Sequence, residues 1–265
     1  GAGLSSSAAL EMSVGLALLT AAGQPVDRTQ LALAGQRAEH HFAGTKCGIM
    51  DQFISAHAEP GHALQLDCRS LAYQLAPLPP GLCLVICDTG VKHQLASGEY
   101  NVRRAQCDEG VALLRARLPG IRALRDVSPD QFHALESILP PVVARRCRHV
   151  IQENERVLRF ARALARNQRD ELGLLMAESH QSLRDNYEVS CLELDAMVDA
   201  ARHAPGFVGG RMTGGGFGGC TVNLVDIHHR DAFETTLATQ YHHRTGLRPR
   251  VFSTQPAAGA SIAID

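Results

Sequence analysis

FVGGRMTGGGFGGCTVNLV, residues 207–225, limits this chain's folds more than any other stretch. Seven of the twelve residues from Gly209 to Cys220 are glycine, flanked on both sides by strand-like apolar runs. Each glycine costs backbone entropy when it is ordered, so this is more glycine than a hairpin turn needs. Close approach of the backbone to a ligand or to a neighbouring loop explains the composition. A flexible linker fits poorly between two strands and around Phe217. The stretch therefore predicts strand, ordered glycine-rich loop, strand.

A second glycine-flanked turn, GAGLSSSAAL, stands at residues 1–10 and opens a helical pattern. Leu4, Ala8, Met12, Leu16 and Leu19 recur at three- and four-residue steps until Gly23 and Pro25 stop them. Glycines let a backbone come close to a ligand, and the first amides of a helix have no internal partner. The helix dipole adds attraction for an anion there. The serine hydroxyls can bond phosphate or ligate a hard cation such as Mg²⁺. The alternative is a plain serine-capped helix. The turn is no P-loop, because G-x-x-x-x-G-K is absent, and no dinucleotide fingerprint, because Ser6 replaces the third glycine.

RAEHHFAGTKCGIMDQFIS, residues 37–55, carries two carboxylates in unusual company. Glu39 lies beside Ala38 and Phe42, so it can face either solvent or a cleft. Asp51 sits between Met50 and Phe53, where a carboxylate is costly unless it is paired or employed; the alternative is a helix N-terminal cap.

The rest of the chain supplies a framework. A helix begins at Asp27, with Gln30 completing a capping box and Leu31, Ala34, Ala38 and Phe42 as its apolar face. A short helix covers Ile49 to Ala58. HALQLDC, YQLAPL and LCLVICD then read as strands. Helices dominate from Glu99, including a charged one over Val142–Arg169 with Glu155 and Arg159 spaced as an i,i+4 pair. Ser190 and Glu193 form a second capping box before Leu192, Met197, Val198 and Ala201, and RPRVFST offers a last strand. This order predicts an α+β fold in two domains, residues 1–95 and 96–265.

The net charge of −1 excludes a general pull toward nucleic acid or membrane, so an anionic ligand must be recognised locally. The eight cysteines have neither C-x-x-C nor metal-like spacing and read as free thiols in a reducing cytoplasm. Histidine doublets at 40–41, 228–229 and 242–243 point to different faces and read as surface residues. No stretch reads as a signal peptide, and no apolar run approaches the roughly 18 residues of a membrane span.

Together the three clusters resemble the GHMP family of small-molecule kinases, and within it the galactokinase branch. GLSSSAAL is similar to the family's ATP motif and GGRMTGGGFGGC to its third glycine motif. CGIMDQFIS, LQLDCRSL, SGEYNVRRAQC, ALRDV, RHVIQEN and LMAESHQSLRDNYEVS resemble the galactokinase branch in particular, over essentially all 265 residues.

The resemblance implies a ribosomal protein S5-like N-terminal domain and a ferredoxin-like C-terminal domain. It implies transfer of the γ-phosphoryl group of ATP to the C1 hydroxyl of α-D-galactose with Mg²⁺, by a cytoplasmic enzyme that is monomeric at full length. Gly1, Ala2, Gly3, Leu4, Ser5, Ser6 and Ser7 would form the ATP phosphate loop. Ser7 and Glu39 would ligate Mg²⁺, Asp51 would be the catalytic base, and Gly48 and Tyr100 would line the sugar pocket with Asp51. The third glycine loop would pack beside the phosphates. The family's first motif, G-R-x-N-L-I-G-E-H-x-D-Y, has no counterpart, and no arginine takes over its phosphate contact by motif. The chain is therefore expected to be the C-terminal portion of a galactokinase, poorly soluble and inactive when expressed alone. A sister kinase for another sugar and a non-catalytic sensor are the alternatives. The intact SSSAA turn, Glu39 and Asp51 weigh against the sensor.

Overall fold

The computed structural model describes residues 4–92 and 96–263. It begins with three helices, α1 (Ser6–Ala21), α2 (Arg28–Ala38) and α3 (Met50–His57). Strands β1 (His62–Leu66) and β2 (Tyr73–Pro77) form an antiparallel pair, followed by the long β3 (Leu82–Lys92). Helices α4 (Ala96–Arg115), α5 (Pro129–Leu135), α6 (Pro141–Ala165), α7 (Arg169–Ser182) and α8 (Leu192–Arg202) come next. The chain then runs through β4 (Phe207–Met212), β5 (Gly218–Asp226), α9 (Arg230–Thr245) and β6 (Arg250–Thr254).

Four strands make one antiparallel sheet in the order β4-β5-β3-β6. The unbroken apolar run LCLVIC is explained by burial on both faces. Cys83, Val85 and Cys87 pack with Val225 against Met197, Ala201, Phe233 and Leu237 of α8 and α9. Leu82, Leu84 and Leu224 face the other way, onto Ala163, Leu164, Leu172 and Leu175 of α6 and α7. The sheet is thus the middle layer of three. The division expected after residue 95 falls between β3 and α4, yet β3 is the sheet's link between β5 and β6. The sheet therefore draws strands from both sides of that line.

A separate core of Met12, Ala32, Ile49, Phe53 and Ala56 holds α1–α3 together. Residues near the chain's far end join it: Gly259 N–H donates to Ala58 O at 2.8 Å and Ala260 N–H to Ser55 O at 2.7 Å. Arg28 also donates to Ala260 O, at 2.7 Å. A third core between α4 and α6 gathers Cys107, Val111, Leu114, Val143, Cys147 and Ile151. All eight cysteines are free thiols, and five of them, Cys83, Cys87, Cys107, Cys147 and Cys220, are buried. Among the described residues no helix is long and apolar enough to cross a membrane.

Several local expectations change. Asp27 caps α2 through Thr29 and Gln30 N–H as expected. Beyond Ala38, however, the helix widens into a π-turn over Glu39–Ala43, which ends at Gly44 with φ +71°. The wider turn breaks the 3.6-residue register, so Phe42 is 91% exposed instead of joining the apolar face. Arg159 pairs with Glu171 at 2.8 Å and with Glu178, across to the next helix, instead of with Glu155. Cys191, not Ser190, is the N-cap of α8, while Ser190 Oγ donates to Asp195 at 2.7 Å. Leu192, at that helix's first turn, is exposed.

Candidate active site

Gly1, Ala2 and Gly3 of the expected phosphate loop lie outside the described residues. Leu4 is exposed in a bend, and Ser5 is the α1 N-cap in a left-handed conformation, φ 55° and ψ 41°. Its side chain makes no capping bond, and no acid occupies the first turn of α1. The plain serine-capped helix is therefore not what forms. Among the described residues, no cap bond and no first-turn acid compensates the positive end of this 16-residue helix, which lies beside the exposed hydroxyls of Ser6 and Ser7.

One turn beyond Ser7 stands Glu11, which the sequence reading did not single out. Its carboxyl accepts from Gln52 Nε2 at 3.1 Å and lies beside the Glu39 carboxyl. Burial, and then the adjacent Glu39 charge, push the Glu11 carboxyl above the usual carboxylate range, against the Gln52 bond. Gly35 makes the approach possible, because a Cβ there would lie 2.8 Å from Glu11 Oε2 and 2.6 Å from Met12 Cε. Gln52 is 1% exposed and follows Asp51 on α3. The pair Glu11–Gln52 thus links Glu39, at the end of α2, to the helix of Asp51. Two signals could have found it: Glu11 stands four residues after Ser7, on the same helix face, and both polar residues interrupt apolar runs.

Asp51 is half-buried in the first turn of α3, and the N-cap position belongs to Ile49, so Asp51 does not serve as a helix cap. Before it, residues 44–48 form a loop held from two sides. Cys47 O accepts from Gln36 Nε2 at 3.2 Å and bonds His40 Nε2 at 2.8 Å on the α2 side. On the α4 side, Asn101 bonds Lys46 N–H and Gly44 O, each at 3.4 Å. The Gly48 backbone lies beside the Tyr100 phenol. Burial, then Cys47 and, more weakly, Asp51, raise the Tyr100 phenol, while the neighbouring Gly48 amide works against the rise. Gly48, Asp51 and Tyr100 are therefore neighbours. No atom outside its chain neighbours lies within 4 Å of where a Gly48 Cβ would be, so the space beside it is open. Burial and the charges of Glu39, Asp51 and Glu11 raise the Cys47 thiol, which places the three carboxylates around one loop.

The third glycine stretch divides its work. Gly209 packs on Gly173 of α7, and a Gly210 Cβ would lie 2.3 Å from Asn223 Oδ1, so these two serve packing. Gly216, with φ +86°, lies against Val189 O, 2.2 Å from its would-be Cβ. Phe217 adopts φ 58° and donates its N–H to Val189 O at 2.7 Å. Gly215 has open space around it. The loop is ordered against a neighbouring segment, which is one of the two uses its composition suggested.

Mg²⁺ is a hard cation that takes oxygen ligands and keeps several waters, holding to protein through one or two groups. Among the described residues no cluster of three or more His, Cys, Asp or Glu is arranged for a metal. The all-oxygen set of Ser7, Glu39 and the adjoining Glu11 fits such a sparsely held ion.

An acid-free helix start with exposed hydroxyls, carboxylates around the open space beside Gly48 and an ordered glycine loop are the parts a small-molecule kinase needs. Residues 1–59 match the GHMP kinases N terminal domain and residues 160–243 the GHMP kinases C terminal domain. The chain is 50% identical over 265 residues to a galactokinase of Chloroflexus aggregans, covering 99% of this chain and 67% of that protein. It is 44% identical to a galactokinase of Roseiflexus sp., covering 68% of that protein. The crystal structure of Lactococcus lactis galactokinase complexed with galactose superimposes with a TM-score of 0.94 at 34% identity, over 98% of this chain and 67% of that one. The chain belongs to the galactokinase family of GHMP kinases.

Proposed function

We propose that this chain supplies the phosphate-binding, metal-binding and base positions of a cytoplasmic enzyme that transfers the γ-phosphoryl group of ATP to the C1 hydroxyl of α-D-galactose with Mg²⁺. The convergence of Glu39, Gly48, Asp51 and Tyr100 on the 44–48 loop carries the reading. Membership of the galactokinase family supports it.

Phosphoryl transfer is largely positioning and charge stabilisation, so the residues have limited chemistry to perform. The amides at the start of α1 and the dipole behind them hold phosphate oxygens. Ser7 and Glu39 would hold Mg²⁺, which neutralises phosphate charge when bound. Asp51 orients the sugar hydroxyl and accepts its proton late, once phosphorus–oxygen bonding has made that proton acidic. A carboxylate is too weak a base to strip a sugar hydroxyl beforehand. Gly48 leaves room for the ring, and the neighbouring Tyr100 walls the pocket.

Steady-state kinetics of the full-length gene product test these roles. Asp51→Ala should abolish turnover while ATP still binds; a near-normal kcat would remove Asp51 as base. Gly48→Ala should fold normally, because its methyl meets no protein atom, yet raise the galactose KM about tenfold. An unchanged KM would move the sugar elsewhere.

A further inference from the structure

Arg103 is 8% exposed, and its guanidinium is fully engaged within the protein. Nε donates to Tyr187 O at 2.8 Å, Nη2 to Glu188 O at 2.7 Å, and Nη1 to Glu99 Oε2 at 2.9 Å. The same group lies over the Phe217 ring, 5.6 Å from its centroid. It stands three residues after Tyr100 on α4, and the Tyr187 phenol lies close enough to Tyr100 to interact electrostatically.

The segment it grips is itself unusual. Residues 183–187 form a π-turn that ends at Glu188 in a left-handed conformation, φ 54°. Arg145 and Arg146 bind the two oxygens of the Glu188 carboxylate at 2.8 and 2.7 Å. The next residue, Val189, presents the carbonyl that receives Phe217 N–H and against which Gly216 packs. Phe217 is a bulky side chain in a left-handed backbone, a state that persists only where its surroundings impose it. Arg103 touches both sides of this junction, the carbonyls below and the ring above.

We propose that Arg103 is a positioning residue for phosphoryl transfer, fastening the tip of the third glycine loop to the helix that carries Tyr100. The sugar wall and the glycine loop are then held as one body. This rests on the kinase reading for its consequence, though not for its geometry. A guanidinium is needed, since only its planar fork reaches two successive carbonyls and a carboxylate at once.

The test combines amide exchange with two-substrate kinetics on the full-length gene product. Arg103→Met should keep cooperative unfolding, speed exchange of the Phe217 amide at least tenfold, and raise the ATP KM about tenfold. The galactose KM should move less than threefold, because α4 retains its own backbone bonds. Arg103→Lys should fall on the same side, since an ammonium cannot span both carbonyls. Phe217→Leu leaves the three Arg103 bonds in place and removes the ring, so it should raise the ATP KM about threefold even if Arg103→Met fails to fold. Arg104→Met, whose partner is the exposed Asp108, should change neither readout. Unchanged Phe217 exchange in both Arg103 variants, or an unchanged ATP KM in Phe217→Leu, would overturn the proposal. A wild-type protein without galactose-dependent ADP formation would sink the kinase reading instead, and the exchange result would still judge the clamp.

Discussion

Helices α1–α3 share a small core of Met12, Ala32, Ile49, Phe53 and Ala56, and α1 leaves Leu10, Val14 and Leu18 exposed along one stripe. Strands β4, β5 and β3 of the sheet, by contrast, are covered on both faces and surrounded by helices with cores of their own. Ser7, Glu39 and Asp51 all belong to the lightly packed side, while Tyr100 and the glycine loop belong to the densely packed one. The difference separates two tasks. On the proposed function, the oxygens assigned to metal and base sit where the backbone is open to ligands, and the proposed pocket walls are anchored in the layered core. Glu11–Gln52 stiffens the first side with one buried polar contact, and Arg103 stiffens the second with four.

Core truncation on the sheet side should have the largest effect. Phe233→Ala, in the layer between the sheet and α9, should cost about 3–5 kcal/mol of unfolding free energy by denaturant titration. A loss below 1 kcal/mol would show that this layer is not the stable one.

A smaller effect comes from His149, stacked on Tyr187 and bonded to Ser182 Oγ at 3.0 Å. Burial lowers its pKa from 6.5 to about 4. The unfolded chain therefore binds more protons between those values, and stability should fall as pH drops through that window. The loss should approach roughly 3 kcal/mol, and His149→Gln should flatten it. A wild-type profile that is flat from pH 6.5 to pH 4 would contradict the assignment.

On the open side, Glu39→Gln and Ser7→Ala should each raise the Mg²⁺ concentration for half-maximal activity about tenfold or more. An unaltered requirement would argue against ligation. Smallest of all, Leu18→Gln on the exposed stripe should change stability by no more than about 0.5 kcal/mol. Its benefit should appear as more soluble chain by sedimentation, because an apolar stripe of this kind promotes association.

Much of this was legible because local rules and global packing agree. The spacing from Ala8 to Leu16 matches the buried face of α1, and LCLVIC reads as a strand covered on both sides. The glycine stretch lies between strands as its neighbours require. Phe42 and Leu192 were misplaced because a π-turn and a shifted cap are backbone events that periodicity does not encode. Arg159 chose Glu171 because tertiary neighbours compete with an i,i+4 partner worth only a few tenths of a kcal/mol. Glu11, Gln52 and Arg103 were hidden for a different reason. Their roles are contacts between distant segments, and nothing in a helix pattern says which polar residue will be buried against what.

The most direct measurement is ³¹P NMR of the full-length gene product with ATP, Mg²⁺ and galactose, beside its Asp51→Asn variant. The wild type should give ADP and a sugar phosphomonoester at C1 in equal amounts, and the variant at least a hundredfold less. ATP cleavage to inorganic phosphate without a sugar product, or equal rates from both proteins, would contradict it.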